Sequence, residues 1–200
     1  MALKDFENQI LKKSKPKEIP VFKTEFLDIP KCSIIELRGL HNSGIVKFSI
    51  NLLNNIQNQD GQGLYVDADY NLDHNLINHQ TLLLQPQSPQ ETFDILSQEP
   101  LLKYLSITVI DSVLNLLPLN GDYTQFDQNL KLLREKVKKN RTILIILNPY
   151  LSNKANMLSK YTDIIIVMKR VKTLKKEIKG QGKILKNLVN LNCEKFDYTI

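Results

Sequence analysis

The chain has 200 residues, of which 42% are hydrophobic and 24% charged, and this length suits one domain with a substantial core. Apolar runs such as Ile143 to Leu147 are too short to cross a bilayer, and the first residues lack a secretion signal, so we predict a cytoplasmic protein with no membrane partner. The net charge of +6 is uneven, because residues 131–200 carry 17 basic and 5 acidic side chains. This segregation favours an anionic partner, with nucleic acid as the first candidate.

Residues 1–20 are predicted to form a short helix followed by a linker. Leu3, Phe6 and Ile10 fall on one helical stripe, and a basic segment with two prolines follows at 14–20. A helix tethered in this way packs on its own domain or docks on a neighbour. We therefore treat these three side chains as a candidate oligomer or partner surface, and residues 21–200 as the main domain.

Apolar strands alternate with amphipathic helices in the rest of the chain. Such strands, nearly continuous in apolar residues, are typical of a mostly parallel sheet covered by helices on both faces. The pattern predicts an α/β fold. The predicted strands are 33–37, 63–67, 82–84, 105–110, 142–147 and 163–168, the helices are 44–57, 88–96 and 126–139, and a final ribbon uses 183–189 and 196–200.

The segment after the first predicted strand has the outline of a phosphate-binding loop. Gly39 and the pair Ser43-Gly44 have the right spacing at the start of a helix. The next two positions hold Ile45 and Val46, where such a loop needs a lysine and then a serine or threonine. The loop therefore lacks the ammonium group that reaches the phosphates and the hydroxyl that binds Mg²⁺.

Six stretches, in order, resemble the ATPase core of bacterial RecA recombinases. The resemblance covers roughly residues 1–200 and predicts a RecA-like P-loop NTPase core with a short N-terminal helix. The family's segments IVEIYG, IDAEHALD, QPDTGEQALEI, VDSVAALVP, IFINQ and VVKNK are matched here by Ile34–Gly39, Val66–Asp73, Gln85–Ile95, Ile110–Pro118, Ile145–Pro149 and Ile184–Leu188.

The resemblance implies where a nucleotide would bind and which groups are altered. Asp69 stands where the family has a glutamate that activates water, Pro149 replaces a glutamine that senses the γ-phosphate, and Asp111 keeps the Walker B carboxylate. We predict a pseudo-ATPase with no catalytic residues, in which Asp69 and Asp111 are vestigial. The vestigial nucleotide-binding positions are Gly39, Asn42, Ser43, Gly44, Ile45, Val46 and Lys186.

No cofactor is expected, although weak binding of ATP and Mg²⁺ stays open. No metal site is expected either, because His41, His74 and His79 show no ligand spacing with Cys32 or Cys193.

Basic residues late in the chain are the candidate DNA-binding groups. The run from Lys169 to Lys179 could follow a phosphate backbone, with Tyr150 and Tyr161 available for stacking on bases. The alternative is a solvated connection after an edge strand. The candidate side chains are Lys154, Lys160, Lys169, Arg170, Lys172, Lys175, Lys176 and Lys179.

These observations favour a catalytically degenerate RecA-like accessory protein in DNA recombination or repair. It would bind single-stranded DNA, a RecA-type recombinase or another repair protein, or associate with itself, without ATP hydrolysis. One alternative is an unusual ATP-dependent DNA-binding ATPase that borrows Lys47 or Lys186. Another is a structural interaction protein without DNA affinity, whose lysines only keep it soluble.

Overall fold

The computed structural model describes residues 21–97, 99–117, 123–149, 156–174, 177–189, 191 and 193–200. The predicted helix at 1–20 and the domain boundary drawn there lie outside the described residues. The strands are β1 (Val21–Phe22), β2 (Ile29–Pro30), β3 (Ile34–Arg38), β4 (Gln62–Asp67), β5 (Leu82–Leu84), β6 (Leu105–Asp111), β7 (Ile143–Asn148), β8 (Ile164–Leu174), β9 (Glu177–Asn187) and β10 (Lys195–Thr199). The helices are α1 (Ile45–Asp60), α2 (Pro89–Ser97), α3 (Glu99–Tyr104), α4 (Thr124–Asn140) and α5 (Asn156–Ser159).

Eight of the strands form one sheet in the order β10-β9-β8-β3-β7-β6-β4-β5. The pairings from β8 through β3 to β5 are all parallel, whereas β8–β9 and β9–β10 are antiparallel. Strands β1 and β2 form a separate two-stranded ribbon. The predicted α/β fold with a mostly parallel sheet is thereby confirmed.

Helices cover both faces of the parallel part of the sheet. Neighbouring residues of β3 show this, since Ile35 packs in the cluster that contains α1 and Ile34 in the cluster that contains α4. A strand buried on both faces is apolar along nearly its whole length, which explains the run Ile143–Leu147 within β7. The parallel strands therefore end together, at an edge where the loops that follow β3, β4 and β6 meet.

The predicted elements agree with the observed ones apart from their ends. Helix α1 continues to Asp60 and stops at Gly61, whose φ of 115° is accessible mainly to glycine. The larger differences are the end of β8, predicted at 168, and the start of β9, predicted at 183 and observed at Glu177. Residues 169–174 of β8 continue the strand and pair with β9, so the basic run belongs to a hairpin. Interpreting this run as a connection after an edge strand was wrong, because β8 lies between β3 and β9.

Candidate functional site

The loop between β3 and α1 contains one 3-10 turn, His41–Ser43, between Gly39 and Gly44. Gly39 N donates a hydrogen bond to Asn148 O at the end of β7 (3.2 Å), and Ser43 N donates to Leu40 O (2.8 Å). Gly44 follows with a φ of 85° and starts α1. A left-handed residue is needed at this junction, and only glycine adopts that conformation without strain.

The two residues that replace the lysine and hydroxyl positions are apolar and at least partly buried. Ile45 is only 1% exposed, and a Cβ added to Gly39 would lie 2.9 Å from Ile45 Cγ2. Val46 packs against the same core cluster from its border. The Ile45 side chain thus packs against the strand side of the loop, and neither residue offers a charge or a ligand oxygen. These groups do not fit a metal-bound triphosphate.

The last strand covers the same loop. A Cβ on Gly44 would lie 2.7 Å from Ile200 Cδ1 and 3.5 Å from Ile178 Cγ2, so two aliphatic side chains rest on this glycine. The Tyr198 hydroxyl donates a hydrogen bond to Ser43 O (2.6 Å) and lies 3.4 Å from Lys169 O. Burial raises the pKa of Tyr198 to about 12, so the hydroxyl stays protonated and remains a donor at neutral pH.

The carboxylates at the ends of β4 and β6 have partners within the chain. Tyr65 Oη donates to Asp111 Oδ2 (2.7 Å), and burial together with the Asp111 charge raises the pKa of Tyr65 far above its ordinary value. Ser112 Oγ donates to Asp69 Oδ1 (3.3 Å). Asp67 accepts hydrogen bonds from the backbone of residues 71 and 72 and from Gln85 Nε2. Asp67 therefore closes the turn after β4.

Lys186, the candidate cation from the β9 segment, is used elsewhere in the chain. Its Nζ donates to the carbonyls of Ser159 and Thr162, which precede β8. Burial, followed by the charge of Arg134, lowers the pKa of Lys186. Lys186 pairs in register near the beginning of β8, whereas the loop adjoins the later residues of that strand. These contacts hold Lys186 Nζ away from the loop between β3 and α1 of its own chain.

Strands β8, β9 and β10 present one basic surface. Residues directly opposite each other on antiparallel strands share a face, and the register places Lys172 opposite Lys179, and Lys183 opposite Lys195. All are exposed, and no described carboxylate pairs with any of them. We call this surface the basic face, and it consists of Lys169, Lys172, Lys179, Lys183 and Lys195.

The opposite face of the same strands packs on α1. The Phe196 and Tyr198 rings lie over Gly182 and Gly180, at 2.3 and 2.2 Å from where a Cβ would stand on each glycine. Phe48 of α1 lies against both rings, with centroid distances of 5.6 and 5.5 Å. Because this face is buried, the alternating lysines of β9 must point to the other side.

The other residues predicted to bind DNA lie in different environments. Lys160 forms an ion pair with Asp127 and lies over the Tyr161 ring, 4.8 Å from its centroid. Tyr161 is 9% exposed and packs in the core, so the expectation that it could stack on bases is wrong. Arg170 is exposed but pairs with Gly180, which places it outside the basic face. The candidate residues that lie outside the described part of the chain are Leu3, Phe6, Ile10, Tyr150, Lys154, Lys175 and Lys176.

Sequence reasoning missed two lysines of the basic face, Lys183 and Lys195. Lys183 lies just after the basic run Lys169 to Lys179, whereas Lys195 lies well beyond it, and strand pairing places both beside the run. The alternation of glycines and polar residues from Lys179 to Lys183 was the available signal, because small residues at alternate positions indicate a face under bulky side chains. Lys195 carried no such signal.

Neither a group of metal ligands nor a membrane-spanning helix is present in the described part of the chain. Among the described residues, no three histidine, cysteine or acidic side chains are grouped so as to hold a metal ion. None of the described helices is long and apolar enough to span a membrane.

Comparison with known proteins agrees with this architecture. Residues 25–192 match the family model of the RecA N-terminal domain. Protein RecA of Rippkaea orientalis is 26% identical over 183 residues, and the match covers 76% of this chain and 52% of that protein. Protein RecA of Oleidesulfovibrio alaskensis is 26% identical, with 80% and 56% covered. The mitochondrial DNA repair protein recA homolog 3 of Arabidopsis thaliana is also 26% identical, with 86% and 51% covered.

The chain thus spans about half the length of the curated relatives it matches. The family model alone covers most of the chain, from β2 to the turn before β10. The mostly parallel sheet with its flanking helices fits the α/β core of this family. The protein belongs to the RecA family.

Proposed function

We propose that this protein is an accessory factor of DNA recombination or repair that binds single-stranded DNA without hydrolysing ATP. The observation that carries the proposal is the basic face, where five exposed lysines lie on one side of a three-stranded antiparallel sheet. The family supports a role in recombination and repair. A RecA-type recombinase, another repair protein or a second copy of the chain is the proposed protein partner.

The spacing of the lysines suits a flexible polyanion. Side chains on one face of a strand repeat every 6 to 7 Å or so, and neighbouring strands lie about 4.8 Å apart. A strand of nucleic acid lying across this grid would meet several ammonium groups and release its bound counterions. The register places two acidic residues, Asp197 and Glu177, on this face, and Asp197 accepts a hydrogen bond from Gln181 (3.3 Å).

Binding through this face would be insensitive to base sequence. In its described part, the face carries no aromatic side chain on which a base could stack, and its apolar members are Val167 and Leu185. Contacts to phosphates position a nucleic acid without reading it. An accessory factor that acts along any single strand needs only this kind of contact.

Independence from ATP is supported by the loop. Ile45 and Val46 contribute no phosphate or metal ligand, and Ile178 and Ile200 rest on Gly44. Losing the lysine and the hydroxyl together removes the groups that hold Mg-ATP and stabilise its transfer. We therefore expect nucleotide to change neither the stability nor the DNA affinity of the protein.

The test is fluorescence anisotropy of a labelled single-stranded oligonucleotide at several salt concentrations, with and without Mg-ATP. The double variant Lys179→Gln/Lys183→Gln should bind more weakly and reduce the slope of log K against log salt by about 1.4, for two lost phosphate contacts. Lys103→Gln/Lys131→Gln removes the same charge from α3 and α4 and should bind like the wild type.

Three results would contradict the proposal in different ways. If the protein shows no salt-dependent binding of the oligonucleotide, the alternative of a structural interaction protein without DNA affinity is supported. Equal binding by both double variants would move the DNA site elsewhere. Binding that requires Mg-ATP, or thermal stabilisation by Mg-ATP, would favour the unusual ATPase.

A further inference from the structure

A cleft of about 400 Å³ separates the loop after β3 from strand β8. One wall is formed by residues 40, 42 and 43 of the loop, and the other by residues 167–170 of β8. Lys169 belongs both to this wall and to the basic face, so the two surfaces are continuous. The cleft has the size of many small-ligand sites.

The buried hydroxyl of Tyr198 contacts both walls of the cleft. Tyr198 Oη donates to Ser43 O on the loop wall (2.6 Å) and lies 3.4 Å from Lys169 O on the strand wall. Tyr198 is only 2% exposed, and its ring packs on Phe48 of α1. The cleft is therefore formed before any ligand arrives, and binding does not have to order its walls.

The chemistry of the cleft favours an anion. Lys169 and Arg170 are exposed at the strand wall, and no described carboxylate pairs with either. Helix α1 begins directly after the loop wall with no acidic residue in its first turn and no side-chain cap, so the partial positive charge of its first turn is not offset there. Ser43 Oγ is buried without a hydrogen-bond partner among the described residues.

We propose that this cleft holds a phosphate group of a bound nucleic-acid strand. The inference rests on the proposed function, since the strand would reach the cleft from the basic face through Lys169. A phosphate can also come from a free nucleotide, but the loop lacks the lysine and hydroxyl that a metal-bound triphosphate needs. A single phosphate requires only the cations and hydrogen-bond donors that are present.

The decisive variant fills the cleft without changing its charge. Val167 lines the cleft and is partly buried, so Val167→Phe should block it. The matched control is Leu82→Phe, an exposed position of β5 at the opposite edge of the sheet, away from the cleft and from the basic face. Val167→Phe should weaken binding of a labelled single-stranded oligonucleotide about tenfold and reduce the salt slope by about 0.7, the signature of one lost phosphate contact. Leu82→Phe should leave both values unchanged.

A second variant keeps the inference testable if Val167→Phe lowers the melting temperature. Arg170→Gln removes a charge at the cleft, and the same loss of affinity and slope is expected. Wild-type binding by both variants, while Lys179→Gln/Lys183→Gln binds weakly, would overturn the inference and leave the proposed function intact. Failure of the wild type to bind DNA in a salt-dependent way would overturn both.

The source of the phosphate is tested by thermal stabilisation with inorganic phosphate and with ATP. Neither should stabilise the wild type more than Val167→Phe at concentrations below the millimolar range. Stabilisation of the wild type alone, with oligonucleotide binding unaffected by the substitution, would assign the cleft to a free phosphate compound and contradict the inference.

Discussion

At the scale of single residues, the loop shows how a changed side chain becomes part of the core. In a working P-loop the lysine leaves the helix towards the phosphates. Here Ile45 is 1% exposed and packs against Gly39 and its surroundings. The substitution therefore removes a ligand and adds apolar packing at once. Restoring the lysine alone would not restore the site, because the space that its ammonium group needs is absent.

Ile45→Lys tests this point. The variant should lower the free energy of unfolding by at least about 3 kcal/mol, because an ammonium group would be buried without a carboxylate partner. Ile45→Met is the control, since it has an unbranched, uncharged chain, and it should cost about 1.5 kcal/mol or less. Urea denaturation gives both values. Near-wild-type stability of Ile45→Lys, or its stabilisation by Mg-ATP, would show that the loop can still open towards a nucleotide.

At the scale of elements, the β9–β10 pair has two faces with different tasks. Gly180 and Gly182 admit the Tyr198 and Phe196 rings on the face towards α1. The alternate positions of β9 carry lysines on the other face. The buried aromatic face holds the strands on the domain, so the basic face can stay open to solvent. A strand pair with charged side chains on both faces could not pack on α1 without burying charges.

Gly182→Ala should destabilise the protein through this contact. A Cβ at this position would lie 2.3 Å from the Phe196 ring, and the ring is confined by Phe48 at 5.6 Å. We expect a loss of about 1–3 kcal/mol in thermal or urea unfolding, the usual range for overpacking. Gln181→Ala, one residue away on the exposed face, should change stability by about 0.5 kcal/mol or less. Equal effects of the two substitutions would mean that the ring moves aside freely.

At the scale of the whole molecule, charge is separated along the chain and in space. Residues 131–200 carry 17 basic and 5 acidic side chains, whereas residues 1–130 carry 10 basic and 16 acidic ones, and five lysines of the basic half lie on one face. Other basic residues of this half have structural tasks. Arg134 and Lys138 both contact Asp163, whose Oδ2 also accepts a hydrogen bond from Ile34 N. Net charge alone therefore overstates the surface that is open to a polyanion.

The prediction at this scale concerns residues 1–20 and their effect on self-association and partner binding. Their apolar stripe of Leu3, Phe6 and Ile10 is the proposed oligomer or partner surface. Deleting residues 1–20 should leave the melting temperature nearly unchanged while altering the molar mass measured by light scattering or the binding of a RecA-type recombinase. The variant Leu3→Ser/Phe6→Ser/Ile10→Ser keeps the length and should behave like the deletion. Unchanged mass and unchanged partner binding in both would remove this surface from consideration.

The sequence by itself determined the family, the α/β class and the altered loop, because these depend on local features. Runs such as Ile143–Asn148 indicate buried strands wherever they occur, and Ile45 and Val46 lack ligand groups in any fold. The tertiary structure decided what depends on pairing between distant segments. It extended β8 beyond residue 168, joined Lys183 and Lys195 to the basic face, and placed Tyr161 in the core. Strand register and burial are set by non-local contacts, which a linear pattern of charges and aromatic residues does not contain.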